Sequence, residues 1–177
     1  QNRAGYENLM LLNSVLYLGK GTDAPQVTVE DLTAHGEGLI CLTGGPDGPL
    51  GRLVQEGKIA PAAALLDVLA AAFPNRLYVE LQRHPREDAS PLEAERLTEA
   101  WFIKQAYAKA LPIVATNDVY FPKPEMYEAH DALICIAEGA YVDQQAPRRR
   151  LTPQHGFKSA AEMAALFANL PEAIENT

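Results

Sequence analysis

Ile113-Val114-Ala115-Thr116-Asn117-Asp118-Val119-Tyr120-Phe121 is the stretch on which the reading of this chain turns. An apolar run enters Thr-Asn-Asp and then meets Pro122 and Pro124, with Pro112 just before it. A short apolar run between prolines suits a strand buried on both faces. Its amide and carboxylate, Asn117 and Asp118, would emerge at the carboxyl end, where folds with parallel strands hold ligands and metals. Asp118 is therefore the first candidate acid. Capping of the following helix, or a turn with its neighbours, is the equal alternative.

Two further apolar runs repeat the pattern upstream. Leu39-Ile40-Cys41-Leu42-Thr43 reads as a strand and is followed by Gly44-Gly45-Pro46-Asp47-Gly48-Pro49. That loop lacks the Lys-Ser/Thr of a phosphate loop and the spaced glycines of a dinucleotide fingerprint, so it reads as a tight turn. Leu77-Tyr78-Val79-Glu80-Leu81 reads as the next strand, with Gln82-Arg83-His84 at its end. Glu80 and His84 are second-rank site candidates there, although isolated polar residues of this kind are more often simply solvated or hydrogen-bonded.

Between these strands lie helical segments. Ile59–Phe73 is rich in Ala and Leu, Pro91–Ala110 is long, and Glu125–Gly139 is bracketed by prolines and a glycine. Met126, Leu133, Ile134 and Ile136 read as core. A first amphipathic helix carries Tyr6, Leu9, Met10, Leu12, Val15, Leu16 and Tyr17, closed by Gly19 and Gly21. Thr28 ahead of Asp31 predicts the N-cap of a short second helix, and Ser159 with Glu162 forms a capping box for a helix to Phe167. Pro171 opens a last one. Strand-helix alternation with crossovers of this length implies an α/β fold with parallel, right-handed βαβ units.

Composition narrows the function classes. The 177 residues carry fifteen basic and twenty-three acidic side chains, a formal charge of −8. That size suits one domain with a substantial core, and that charge argues against a free-standing nucleic-acid binder. Arg148-Arg149-Arg150 could touch phosphates, but a short charge run is usually a solvated loop. Cys41 and Cys135 sit in apolar runs and read as buried free thiols in a reducing, cytoplasmic setting. No apolar stretch is long enough to span a bilayer. No Gly-x-Ser-x-Gly, His-Glu-x-x-His or Cys-x-x-Cys is present. The chain opens at Gln1 and closes at Thr177, which reads as a piece of a longer protein.

The ordered motifs carry a resemblance. Gly5-Tyr6-x-Asn8-Leu9, Gly38-Leu39-Ile40-x-Leu42-Thr43-Gly44-Gly45, Tyr78-x-Glu80-Leu81-x-Arg83-His84 and Leu111 through Phe121 are four of them. Ala129-His130-Asp131-Ala132-Leu133, Phe157-Lys158-Ser159-x-x-Glu162-Met163 and Leu170-Pro171-Glu172-Ala173-x-x-Asn176-Thr177 complete the set. Together they resemble, along the whole chain, the later part of the amino-terminal PHP (polymerase and histidinol phosphatase) domain of bacterial replicative DNA polymerase III alpha subunits.

The resemblance implies the later βα units of a distorted seven-stranded (β/α) barrel over residues 1–145, and a loop with helices leading toward a polymerase core over 146–177. It implies DNA and deoxynucleotides as partners of the parent protein, Mg for polymerisation there, and a proofreading exonuclease subunit as a possible docking partner. In metal-binding members one ligand, Cys or His, follows the Leu-Ile-x-Leu strand, and two more come from an Asp-x-His after the Thr-Asn strand. Here those positions read Gly45, Asp118 and Tyr120. Glycine and neutral tyrosine do not replace imidazole or thiolate donors. The expectation is a vestigial site, with Asp118 its remaining member, without Zn or Mn and without 3′–5′ exonuclease activity. A metal-dependent phosphoesterase or exonuclease with a reduced ligand set is the alternative.

Overall fold

A computed structural model describes residues 1–18 and 25–177. Three strands, β1 (Cys41–Leu42), β2 (Leu77–Gln82) and β3 (Ile113–Thr116), form a parallel sheet in the order β1-β2-β3. The α/β class and parallel pairing expected from the alternation are thus present. β2 and β3 pair with Val79 opposite Ile113 and Gln82 opposite Thr116, whereas β1 meets β2 only through Cys41 and Leu42.

Eight α-helices surround the sheet among the described residues: α1 (Arg3–Leu18), α2 (Val29–Ala34), α3 (Pro49–Gln55), α4 (Ile59–Ala72), α5 (Glu93–Lys109), α6 (Tyr127–Glu138), α7 (Ala160–Leu166) and α8 (Pro171–Glu175). The N-cap read at Thr28 and the capping box read at Ser159 both form, and Thr28 with Asp31 is a full capping box too. Thr28 Oγ1 accepts from Asp31 N–H and Ser159 Oγ from Glu162 N–H, while each N3 carboxylate reaches back to the cap. The glycines expected to close α1, Gly19 and Gly21, lie outside the described residues.

Period-two geometry divides β2 between two environments. Leu77, Val79 and Leu81 point into the core with Leu50, Leu66, Phe73, Phe102, Ile113 and Ala115. Glu80 and Gln82 take the other face. The core also receives Phe167, Leu170 and Ala173 from the last two helices, so the C-terminal segment packs on the sheet and does not hang from it. Asn176 Nδ2 donates to the carbonyl of Ile113 at 2.9 Å, satisfying part of the outer edge of β3.

Several sequence expectations need correction. The Gly-rich turn after β1 runs straight into α3, a helix opened by Pro49, the last residue expected in the turn. Met126, Leu133 and Ile136 were expected in the core; Leu133 is 62% and Ile136 77% exposed. Of that run on α6, Ile134 and Cys135 are the apolar residues turned inward, because a helix buries one stripe and α6 packs on one side. Cys41 is half-buried where full burial was expected, since β1 is a two-residue edge.

The arginine run is structured as well. Arg148 forks onto Asp131 of α6, Nη1 to Oδ1 at 2.7 Å and Nη2 to Oδ2 at 2.6 Å, with both side chains buried. Arg150 donates to the carbonyls of Val142 and Gln144, closing the loop on itself.

Candidate functional site at the carboxyl ends of β2 and β3

Parallel strands bring Glu80, Gln82, His84, Thr116, Asn117 and Asp118 to one end of the sheet, but as two clusters and not one mouth. Glu80 anchors the first. Its Oε2 accepts from the Gly44 N–H at 2.9 Å, and Oε1 accepts from Thr116 Oγ1 and from Gln82 Nε2, the latter at 3.2 Å. The Glu80 N–H donates to Thr43 Oγ1 at 2.9 Å. A buried carboxylate with three donors is well satisfied. Those donors come from β2, β3 and the loop after β1, so Glu80 ties three parallel units together.

Gly45 borders this cluster in the left-handed region, φ +57°. A Cβ built there would lie 2.8 Å from Cδ and Oε1 of Gln82. Gln82 is the free end of a side chain, but its amide is engaged with Glu80 and, at 3.4 Å, with Thr116. Any side chain on residue 45 meets both a strained backbone and an occupied space.

His84 anchors the second cluster and is almost fully buried. Its Nδ1 faces Glu95 Oε1 at 2.8 Å, and its backbone N–H donates to both Glu95 oxygens. Its Nε2 lies 3.0 Å from Asn117 Oδ1 and accepts from the Asp118 N–H at 3.2 Å. The Glu95 carboxylate holds a proton on Nδ1, while Nε2 faces one acceptor, Asn117 Oδ1, and one donor, the Asp118 N–H. Asp118 thus joins the cluster through its backbone and not its carboxylate.

The ring of His84 stacks on that of His155, centroids 3.9 Å apart. His155 Nδ1 accepts from the Thr152 N–H at 3.1 Å. Burial, and then the neighbouring His84, push the His155 pKa down to about 4, so this ring is neutral at pH 7. Lys158 Nζ donates to Asn117 Oδ1 at 3.0 Å and to the Gln154 carbonyl, and burial lowers its pKa. Asn117 Nδ2 completes the link by donating to the Gly156 carbonyl at 2.8 Å.

Tyr120 borders the second cluster, its ring centroid 6.0 Å from that of His155, with its hydroxyl turned to Arg149. Its hydroxyl accepts from Arg149 Nη2 at 2.8 Å, the guanidinium lies 5.2 Å from the ring centroid, and its N–H donates to the His155 carbonyl. Among the described residues no three His, Cys, Asp or Glu side chains converge as a metal-holding group. At the three positions singled out from the sequence, Gly45 offers no side-chain donor, the Tyr120 hydroxyl is bonded to a guanidinium, and Asp118 supplies a carboxylate.

The sequence reading missed Glu95, Gln82, Thr116, His155 and Lys158. Glu95 lies on a helix whose sequence gives it no distinction from Glu93 or Glu99, and His155 follows β3 by a loop, a helix and another loop. Thr152 three residues before His155 was the one available signal. It is a capping box in the structure, in which the His155 ring replaces the usual carboxylate.

Residues 1–84 match the PHP domain family. The whole chain is 49% identical to a stretch of DNA polymerase III subunit alpha from Caulobacter vibrioides, over 180 residues. It is 38% identical over its whole length to the subunit of the same name from Rickettsia bellii, and 37% identical over 99% of its length to that from Escherichia coli. The chain spans 15% of the length of each of these relatives. The chain is thus similar, along its whole length, to one segment of these DNA polymerase III alpha subunits, and its residues 1–84 match the PHP domain family.

Proposed function

We propose that this chain is a non-catalytic PHP segment of a replicative DNA polymerase, a structural element within a protein that carries out template-directed DNA synthesis in the cytoplasm. On this reading the parent acts on DNA and deoxynucleotides with Mg, and the segment itself holds no metal. The three strands are the later part of a seven-stranded (β/α) barrel. Residues 1–145 belong to that barrel, and 146–177 connect it to the polymerase core. Docking of a separate proofreading exonuclease subunit is the partner role that suits such an element.

Gly45 is the observation that carries the non-catalytic reading. Glycine offers no Cys or His donor, and its left-handed backbone, with the Gln82 amide packed against it, strains any side chain at this position. The engagement of Tyr120 by Arg149 supports the same conclusion from the other strand. Elemental analysis of the purified polymerase is the test. Less than a tenth of an equivalent of Zn or Mn per chain is expected, together with no 3′–5′ exonuclease activity that depends on Asp118. Two or three transition-metal ions per chain, with exonuclease activity lost in Asp118→Ala, would overturn it.

A further inference from the structure

Arg83 directly follows β2, and its guanidinium is bonded along every edge. Nε and Nη2 fork onto Glu99 of α5 at 3.0 and 2.6 Å. Nη1 donates to the Leu166 carbonyl at 2.8 Å and to Asn169 Oδ1 at 2.7 Å. The same group lies over the Phe167 ring, 4.6 Å from its centroid. Leu166 ends α7, so its carbonyl is one of the acceptors that a helix terminus leaves without an internal partner. One side chain from the end of the central strand therefore meets α5, the last turn of α7 and the connection from α7 to α8.

Two kinds of force hold this C-terminal pair. Phe167, Leu170 and Ala173 are buried in the main core, and that burial is strong but non-directional. An apolar surface alone tolerates a helix slipping along it or turning over it. The guanidinium fork is directional: its planar donors match the Glu99 carboxylate and the two oxygens beyond it in one arrangement only. Lysine keeps the charge but lacks the fork.

We infer that Arg83 is a positioning residue, a clasp that fixes the register of α7 and α8 against β2 and α5. Its occupied contacts make the end of β2 a binding site for the chain's own C-terminal helices. The inference rests on the reading above only in taking those helices as the connection between two parts of a longer protein. The clasp itself is drawn from the distances around Arg83.

Hydrogen–deuterium exchange followed by mass spectrometry tests it in the 177-residue chain and in the full-length polymerase. In Arg83→Lys the amides of residues 163–170 are expected to exchange roughly tenfold faster, while those of α4 keep their wild-type rates. Asn169→Ala, which removes one acceptor, is expected to give a smaller rise at the same amides. Wild-type exchange at 163–170 in Arg83→Lys overturns the clasp. So does a rise shared equally by α4, because an ion pair that only adds global stability speeds both together. Arg83→Lys keeps the charge and the alkyl stem, so the test stands even if Arg83→Ala fails to fold. Metal analysis reports separately on the non-catalytic reading: bound metal would overturn that reading and leave the exchange pattern unmoved.

Discussion

The first and the last helices of the chain show how the same kind of sequence reaches opposite environments. α7 and α8 are short, yet Phe167 between them is fully buried and Leu170 nearly so. α1 is sixteen residues long with an apolar periodicity that is easier to read, yet Leu9, Met10, Leu11 and Tyr17 are exposed and Leu12 is its one buried large side chain. Its attachment is a backbone contact: Gly5 passes so close to Gly38 that a Cβ there would lie 2.1 Å from the Gly38 carbonyl oxygen. α6 resembles α1, with Leu133 and Ile136 turned outward. Periodicity reports that a helix has an apolar face; it does not report whether a surface lies opposite. Where α7 and α8 lie against the core, the opposite surface is present, and burial follows.

The most forceful way to break this contrast is to truncate one residue on each side. Phe167→Ala removes a ring enclosed by the core and covered by Arg83, and is expected to cost about 3–5 kcal/mol. Leu9→Ala, on a residue half open to solvent, is expected to change stability by less than about 0.5 kcal/mol. Urea denaturation of both variants measures the difference. Equal losses would show that α1 has a covering surface in solution, and self-association through that face would be the first thing to examine.

A pH experiment sharpens the same contrast at the strand ends. His155 is neutral in the fold, its pKa held near 4 by burial and by His84, against an ordinary value of 6.5. The unfolded chain therefore binds this proton more readily than the folded one. Stability from this group is complete above about pH 6.5 and is lost as pH falls from there to about 4. Asp131 acts lower on the scale. The Arg148 hydrogen bonds hold its carboxyl below the usual range, so the stability of that pair fades only as pH drops below about 4. His155→Gln is expected to flatten the decline between pH 6.5 and 4 in urea midpoints, leaving the more acid limb in place. A decline of unchanged slope in that variant would assign the sensitivity to other groups.

Much of the fold was legible because local chemistry and tertiary structure agree here. β2 and β3 read as apolar runs ending in polar residues, and the Thr28 and Ser159 caps lie where the spacing puts them. α3 was hidden because Gly51, with Gly48 at its cap, disguises a helix as a turn; Gly51 is required by contact with the Pro46 and Gly45 carbonyls, which a propensity reading does not register. At the candidate site the strand-end residues Glu80, His84, Asn117 and Asp118 were readable from position. Their partners were not. Glu95 reaches His84 from a helix, and His155 and Lys158 arrive from a segment some forty residues beyond Asn117, so only the folded chain brings these donors and acceptors together. Arg83 stood inside a quoted motif without being singled out, since nothing local marks an arginine that will clasp Leu166 and Asn169.

The smallest expected effect separates backbone from packing in the same comparison. α5 and α6 both end on a residue in the left-handed region, Ala110 at φ 52° and Gly139 at φ 66°. Glycine is the residue suited to that position, and alanine there carries the steric cost of its Cβ against the carbonyl. Ala110→Gly is therefore expected to stabilise by about 0.5–1 kcal/mol after the extra flexibility of glycine in the unfolded chain is subtracted. Gly139→Ala is expected to destabilise by a similar amount, of order 1 kcal/mol, although a Cβ there would meet nothing within 4 Å. α5 lies on the packed side of the sheet and α6 presents open apolar residues, yet the two changes should be equal and opposite because both act through φ alone. Thermal or urea unfolding of the pair decides it. If Gly139→Ala proves neutral while Ala110→Gly stabilises, then the end of α6 is free to relax where the end of α5 is not, and the difference between the two regions extends to the backbone.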